Sequence, residues 1–178
     1  MPTLTEQCKK IKLFLCDVDG VLTDGGMYYS EHGDELKKFC THDGGGFILL
    51  RHMGIKTGLF TSEQTQLVER RGRKLKVDFI IQGAKKKLRI FNNLLEEIAL
   101  SPEEVAYIGD DINDIEVLQR VGVSATVPDN WLPEKFSCDY VTKCAGGHGA
   151  VRDFAEWLLR QRGEYDRALD SYRERISQ

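Results

Sequence analysis

Leu13-Phe14-Leu15-Cys16-Asp17-Val18-Asp19-Gly20-Val21-Leu22-Thr23 is the stretch on which the reading of this chain turns. A short apolar run ends in two carboxylates two positions apart, and a glycine follows. Such a run, bounded by a turn residue, reads as a buried strand entering a turn. In an open α/β sheet, ligands bind outside the carboxyl ends of the strands, which is where Asp17 and Asp19 fall. They flank Val18, so the backbone must break from strand geometry just after the strand for both to reach one site. Two carboxylates so close repel unless a cation or a shared proton intervenes. The pattern points to a magnesium-dependent phosphoryl site. Its plain structural alternative is a strand followed by an acidic turn.

A second apolar run delivers acids in the same way. Val105 to Ile108 leads into Gly109-Asp110-Asp111-Ile112-Asn113-Asp114. Hard cations take oxygen ligands, often only one or two carboxylates together with phosphate and water. Asp17 and Asp110, with a backbone carbonyl near Asp19, would supply such a set. Alone, the second cluster reads equally as a solvated loop or a helix cap.

Strand and helix patterns alternate along the chain, which predicts an α/β fold with a doubly wound, mostly parallel sheet. Strands are expected over 11–16, 56–60, 77–81, 105–108 and 123–127, with a short sixth at 139–142. Helices are expected over 43–52, from a Thr61 or Ser62 cap to about Lys74, and over 85–99, 114–121 and 149–161. In the helix over 85–99, Leu88, Phe91, Leu94, Leu95 and Ile98 recur at helical spacing. Two short runs, 27–29 and 35–39, separated by Ser30-Glu31-His32-Gly33-Asp34, predict a β-hairpin inserted after strand one. Beyond Gly163 the chain is highly charged and expected to be exposed or frayed. One domain over residues 1–178 accounts for the whole pattern.

Composition narrows the function. A net charge of −3 offers no basic field for nucleic acid. No apolar run approaches the ~20 residues that span a bilayer, and Met1 to Lys12 is polar and mixed in charge, unlike a signal peptide. The five cysteines are odd in number and form no CxxC pair, so free thiols in a reducing cytoplasm are expected.

The motifs together resemble the haloacid dehalogenase superfamily. Asp17-Val18-Asp19-Gly20-Val21-Leu22-Thr23 matches its first motif, DxDGxLT. Thr61, ending strand two, matches the second. Lys87, in Gln82-Gly83-Ala84-Lys85-Lys86-Lys87-Leu88, best fits the third, and Gly109-Asp110-Asp111-Ile112-Asn113-Asp114 the fourth. The resemblance implies that Asp17 is a nucleophile, Asp19 a general acid and then base, and Asp110 a magnesium ligand. Asp114 would support the metal, with the role of Asp111 left open. Lys87 would offset the carboxylates and stabilise the transferring phosphoryl group, and Thr61 would donate to a phosphate oxygen.

Within the superfamily the chain is most similar to phosphatases of 3-deoxy-D-manno-octulosonate 8-phosphate and of nine-carbon, sialic-type sugar acid 9-phosphates. THDGGGFILL, AYIGDDINDIEVL, VGVSATVPD and AGGHGAVRDF carry that likeness. This branch implies a Rossmann-like core with no large cap domain, a homotetramer built around the hairpin, and a role in lipopolysaccharide biosynthesis. Two departures leave the sugar acid open: Thr61-Ser62-Glu63 replaces TGR, and Gly146-Gly147-His148-Gly149 replaces GGRG. The first resembles the nine-carbon branch, where Glu63, Arg71 and Lys74, expected on the helix after strand two, would read the substrate. Arg152 is a further candidate, although a charged helix face explains these residues equally. Two other function classes compete. A receiver domain would need an acceptor Asp after strand three, where Gln82-Gly83 stands. A non-catalytic tetramerisation module would not need the full set of Asp17, Asp19, Lys87 and Asp110.

Overall fold

The structure, a computed structural model, describes residues 2–33 and 35–176. Its elements are α1 (Leu4–Lys10), β1 (Leu13–Cys16), β2 (Tyr28–Tyr29), β3 (Glu35–Leu36), α2 (Asp43–His52), β4 (Lys56–Phe60), α3 (Gln66–Leu75) and β5 (Phe79–Ile81). There follow α4 (Lys87–Ile98), β6 (Val105–Ile108), α5 (Ile115–Leu118), β7 (Val123–Thr126), β8 (Tyr140–Val141), α6 (Ala150–Arg162) and α7 (Tyr165–Ile176). Six strands form one sheet in the order β5-β4-β1-β6-β7-β8, every pair parallel. The sheet is doubly wound, as the alternation of patterns predicts, and the described residues include no large cap.

β1 shows why. All four of its side chains are buried, so the strand reads as a continuous apolar run with no polar alternation. Successive side chains point to opposite faces. Phe14 and Cys16 enter a cluster with Phe47 of α2, Val68 of α3 and Phe154 of α6. Leu13 and Leu15 enter a second cluster with Phe91 of α4 and Val117 of α5. Helices therefore cover both faces, and β1 lies between β4 and β6 with its carboxyl end open for chemistry.

The expected hairpin is present and lies outside this sheet. Tyr28 pairs with Leu36 and Tyr29 with Glu35 in antiparallel register, and a bridge between Thr23 and Phe39 closes its base. Asp34, in the expected turn, lies outside the described residues.

One helix is unforeseen and two expectations fail. The polar N-terminus forms α1, because Thr3 and Glu6 make a reciprocal capping box and Cys8 anchors the helix in the core. α3 starts later than expected, capped by Thr65 through the amide of Leu67. Thr61 instead accepts from the amide of Glu63, so Glu63 sits in the connecting loop and not on the helix. The charged tail is a helix: Ala168 is fully buried, and Tyr165, Leu169 and Tyr172 pack on the same core. Apolar residues spaced three to four apart among charges form a stripe along α7, which net polarity conceals.

Ala168→Asp places an unpaired charge in the core and should cost about 3 kcal/mol or more. For a chain of this size that lowers Tm by roughly 6–12 °C in calorimetry. A change within about 0.5 kcal/mol, as at an exposed site, would show a free tail.

Candidate active site

The backbone leaves β1 as the two carboxylates require. Asp17 is still extended (φ −63°, ψ 162°), Asp19 and Gly20 break the helical path of the turn over Val18–Leu22, and Gly20 takes φ 92°. A Cβ on Gly20 would sit 2.1 Å from Oδ2 of Asp110. Glycine is thus needed twice, for a conformation other residues resist and for the approach of the β1 turn to the β6 turn.

That approach gathers the charged groups. Oxygens of Asp17, Asp110 and Asp114 lie within 4.8 Å of one another, all three residues buried. Lys87, the first residue of α4, enters from the face of the sheet that α4 shares with α5. Its Nζ donates to Asp17 Oδ1 at 2.8 Å, to Asp114 Oδ1 at 2.5 Å and to the Tyr107 hydroxyl at 3.2 Å. The Tyr107 hydroxyl also donates to Asp114 Oδ1, and the amides of Asp110 and Asp111 donate to Asp114 Oδ2 at 3.1 and 3.2 Å. Asp114 therefore has both oxygens engaged. Asp110 does not: its Oδ1 is buried without a hydrogen-bond partner. Asp111 turns outward and caps the short helix over Ile112–Asp114 by accepting from the amide of Ile112.

Asp19 projects to the outer side of the cluster. Its Oδ1 accepts from Lys37 Nζ at 2.6 Å and its Oδ2 from the Thr61 hydroxyl at 3.4 Å. Asp17, Asp19, Thr61, Lys87, Asp110 and Asp114 thus meet at one edge of the sheet, although they come from four separate segments. Lys37 and Tyr107 join them without having been singled out by sequence. A tyrosine inside a buried strand needs a partner for its hydroxyl, a signal that Tyr107 did offer. Lys37 offered none, because the facing of the inserted hairpin cannot be read from periodicity.

Electrostatics show what the site lacks. Burial pushes the Asp17 carboxyl up, against the pull of Lys87, to about 7. Burial, reinforced by Asp17, pushes Asp110 to about 8. Burial also opposes the charge on Lys87, but Asp17 and Asp114 outweigh it and hold the ammonium above its ordinary value. One ammonium does not balance three buried carboxylates. The unpartnered Asp110 oxygen and the all-oxygen donor set fit a hard divalent cation.

The four candidate substrate residues are dispersed. Glu63 is exposed in its loop and Lys74 is exposed on α3. Arg71 donates to the Cys40 carbonyl at 2.8 Å and lies over the Phe39 ring, at the base of the hairpin. Arg152, on α6, is held by Glu156 at 2.5 Å and covers Gly45. A groove of about 680 Å³ between α2, α3 and α7 includes Arg71 and Lys74, but none of the clustered carboxylates lines it.

Comparison with known proteins gives the family. Residues 45–122 match the family model of haloacid dehalogenase-like hydrolases. The chain is 41% identical to 3-deoxy-D-manno-octulosonate 8-phosphate phosphatase of Escherichia coli strain K12, over 91% of this chain and 86% of that protein. The chain belongs to the haloacid dehalogenase-like hydrolase family. Among solved members, the 3-deoxy-D-manno-octulosonate 8-phosphate phosphatase of Moraxella catarrhalis, determined with magnesium, phosphate and KDO, superposes with a TM-score of 0.90 at 34% identity. That match covers 95% of this chain and 97% of the other. The corresponding Yersinia pestis phosphatase gives 0.87 at 36% identity, over 92% and 88% of the two chains.

The folded pKa values of Asp17 and Asp110 exceed the ordinary carboxylate value of about 3.9. The folded state therefore holds their protons more tightly, and their contribution to stability falls as pH rises from about 4 through about 7 and 8. Protons compete with a cation across that window. Magnesium should accordingly raise Tm more at pH 8 than at pH 6 in differential scanning fluorimetry. Equal shifts at both values would reject Asp17 and Asp110 as the ligands.

Proposed function

We propose that this hydrolase removes phosphate from 3-deoxy-D-manno-octulosonate 8-phosphate through a covalent aspartyl-phosphate on Asp17. The observation that carries the mechanism is the position of Asp17, fixed by Lys87 at the open end of β1 with Asp110 and Asp19 beside it. The substrate class comes from the relatives, which match along nearly the whole chain and include one solved with magnesium, phosphate and the sugar acid.

In the first half-reaction an Asp17 oxygen attacks phosphorus, the bond from phosphorus to the sugar oxygen breaks, and Asp19 delivers a proton to that oxygen. In the second, Asp19 takes a proton from a water that attacks phosphorus, which frees phosphate and regenerates Asp17. Lys87 holds Asp17 in place and faces the charge on the phosphoryl group. With substrate bound, the Thr61 hydroxyl turns from Asp19 to donate to a phosphoryl oxygen. Asp17, Asp110 and a backbone carbonyl near Asp19 would hold magnesium, which would supply positive charge to keep Asp17 ionised and screen the phosphate dianion. Asp114 orients this arrangement through Lys87 and the amides of the β6 turn.

The second reading is a nine-carbon sugar acid 9-phosphate, favoured by Thr61-Ser62-Glu63 with Arg71 and Lys74 nearby in sequence. Arg71 or Lys74 would pair with the substrate carboxylate and Glu63 would accept from its hydroxyls. Phosphate release across eight- and nine-carbon 2-keto-3-deoxy sugar acid phosphates separates the two. The five cysteines are all free thiols, which supports a reducing, cytoplasmic setting. No helix among the described residues is long and apolar enough to cross a membrane.

Asp17→Asn should fold normally and lose at least about a thousandfold in kcat, since an amide cannot act as the anionic nucleophile. Near wild-type turnover by that variant would refute the mechanism.

We also propose a homotetramer. The hairpin exposes Met27, Tyr28, Tyr29 and Leu36 on one short element, an apolar load that marks an interaction surface. Light scattering at micromolar concentration should give four times the 20.2 kDa chain mass. A monomer mass would remove this assembly.

A further inference from the structure

The hairpin stands outside the layered core, yet one of its side chains reaches the reacting edge. Lys37 follows β3 directly. Leu36 beside it points outward and is 63% exposed, so Lys37 faces inward. Its side chain is only 1% exposed, and its Nζ lies 2.6 Å from Asp19 Oδ1. Glu35 Oε1 is 3.7 Å from the same Nζ and Met27 Sδ 3.9 Å. Burying a lysine side chain costs up to about 2 kcal/mol in rotamer freedom and more in lost hydration. The contact with Asp19 is what offsets this.

Asp19 is thereby gripped at both ends. The ammonium of Lys37 holds Oδ1 and the Thr61 hydroxyl reaches Oδ2 at 3.4 Å. Two donors on two oxygens fix both the direction and the plane of a carboxyl group. Without Lys37, the remaining contact is the long one to Thr61, and the Asp19 side chain, 28% exposed, is free to turn toward water.

We propose that Lys37 is a positioning residue that orients Asp19 toward the leaving oxygen, so that the hairpin is a working part of the active site. The proposal rests on the role given above to Asp19. Its consequence is specific. A sugar alkoxide is a poor leaving group and needs a well-placed proton, whereas an aryl oxide such as p-nitrophenolate leaves largely unaided. Misplacing Asp19 should therefore lower kcat/KM, which reports the steps up to leaving-group release, for one ester and largely spare it for the other; hydrolysis of the aspartyl-phosphate, with Asp19 as base, is common to both esters and drops out of that ratio.

The test compares 3-deoxy-D-manno-octulosonate 8-phosphate with p-nitrophenyl phosphate for wild type, Lys37→Met, Lys37→Arg and the Asp19→Asn background. Lys37→Met should lower kcat/KM on the sugar ester on the order of 10- to 100-fold. Its loss on the aryl ester should be at least about tenfold smaller, and Lys37→Arg should recover part of the sugar-ester rate. In the Asp19→Asn background, adding Lys37→Met should cost little more, since residues acting through one another are not additive. Equal losses of kcat/KM on both esters, or full additivity with Asp19→Asn, would overturn the proposal while leaving the phosphatase reading intact. Failure of the wild type to release phosphate from either ester would overturn both.

Discussion

Three carboxylates and one ammonium are held out of water where the ends of β1 and β6 meet the start of α4. The parallel pairing of β1 with β6 places Cys16 beside Ile108, so Asp17 and Asp110 leave the sheet at almost the same height. Lys87 arrives through the helical layer that α4 shares with α5, and Tyr107 and the amides of the β6 turn hold Asp114 against it. Like charges at this spacing repel, and burial deepens the cost. Only well-packed strands on both sides keep the groups from separating, which is why every β1 side chain is buried.

This concentration of charge also explains the glycines of the site. Gly20 lets the β1 turn approach Asp110, and a Cβ on Gly109 would lie 2.5 Å from Cγ of Asp114. Bulk at either point would push one carboxylate away from its partners. The turn after β1 is therefore fixed by packing against β6 as much as by its own sequence.

The hairpin links two levels of organisation. Its outward residues are apolar and exposed, while Lys37 points back to Asp19. Arg71 of α3 braces the hairpin base through the Cys40 carbonyl and the Phe39 ring. Whatever covers the apolar face also holds the segment that carries Lys37. Substrate recognition by Arg71 would involve the same segment, so substrate contact and the orientation of Asp19 share a mechanical support.

The sequence by itself determined the layered α/β architecture, because uninterrupted apolar runs ending in acids and glycine have few other structural solutions. It also singled out Asp17, Asp19, Thr61, Lys87, Asp110 and Asp114, which the fold brings to one edge. Local cues missed α1, although Thr3 and Glu6 spell a capping box, and missed the docking of α7, where net charge hid a narrow apolar stripe. The start of α3 was misplaced because Thr61 and Thr65 are both competent caps, and only the pairing of β4 with β1 and β5 decides how far the strand's exit loop runs. The contact between Lys37 and Asp19 was decided by tertiary structure alone. The two residues come from separate segments, and no periodicity reports which face of an inserted hairpin turns inward. That facing is set by how the hairpin base seats on Thr23, Phe39 and Arg71, and distance along the chain carries no trace of it.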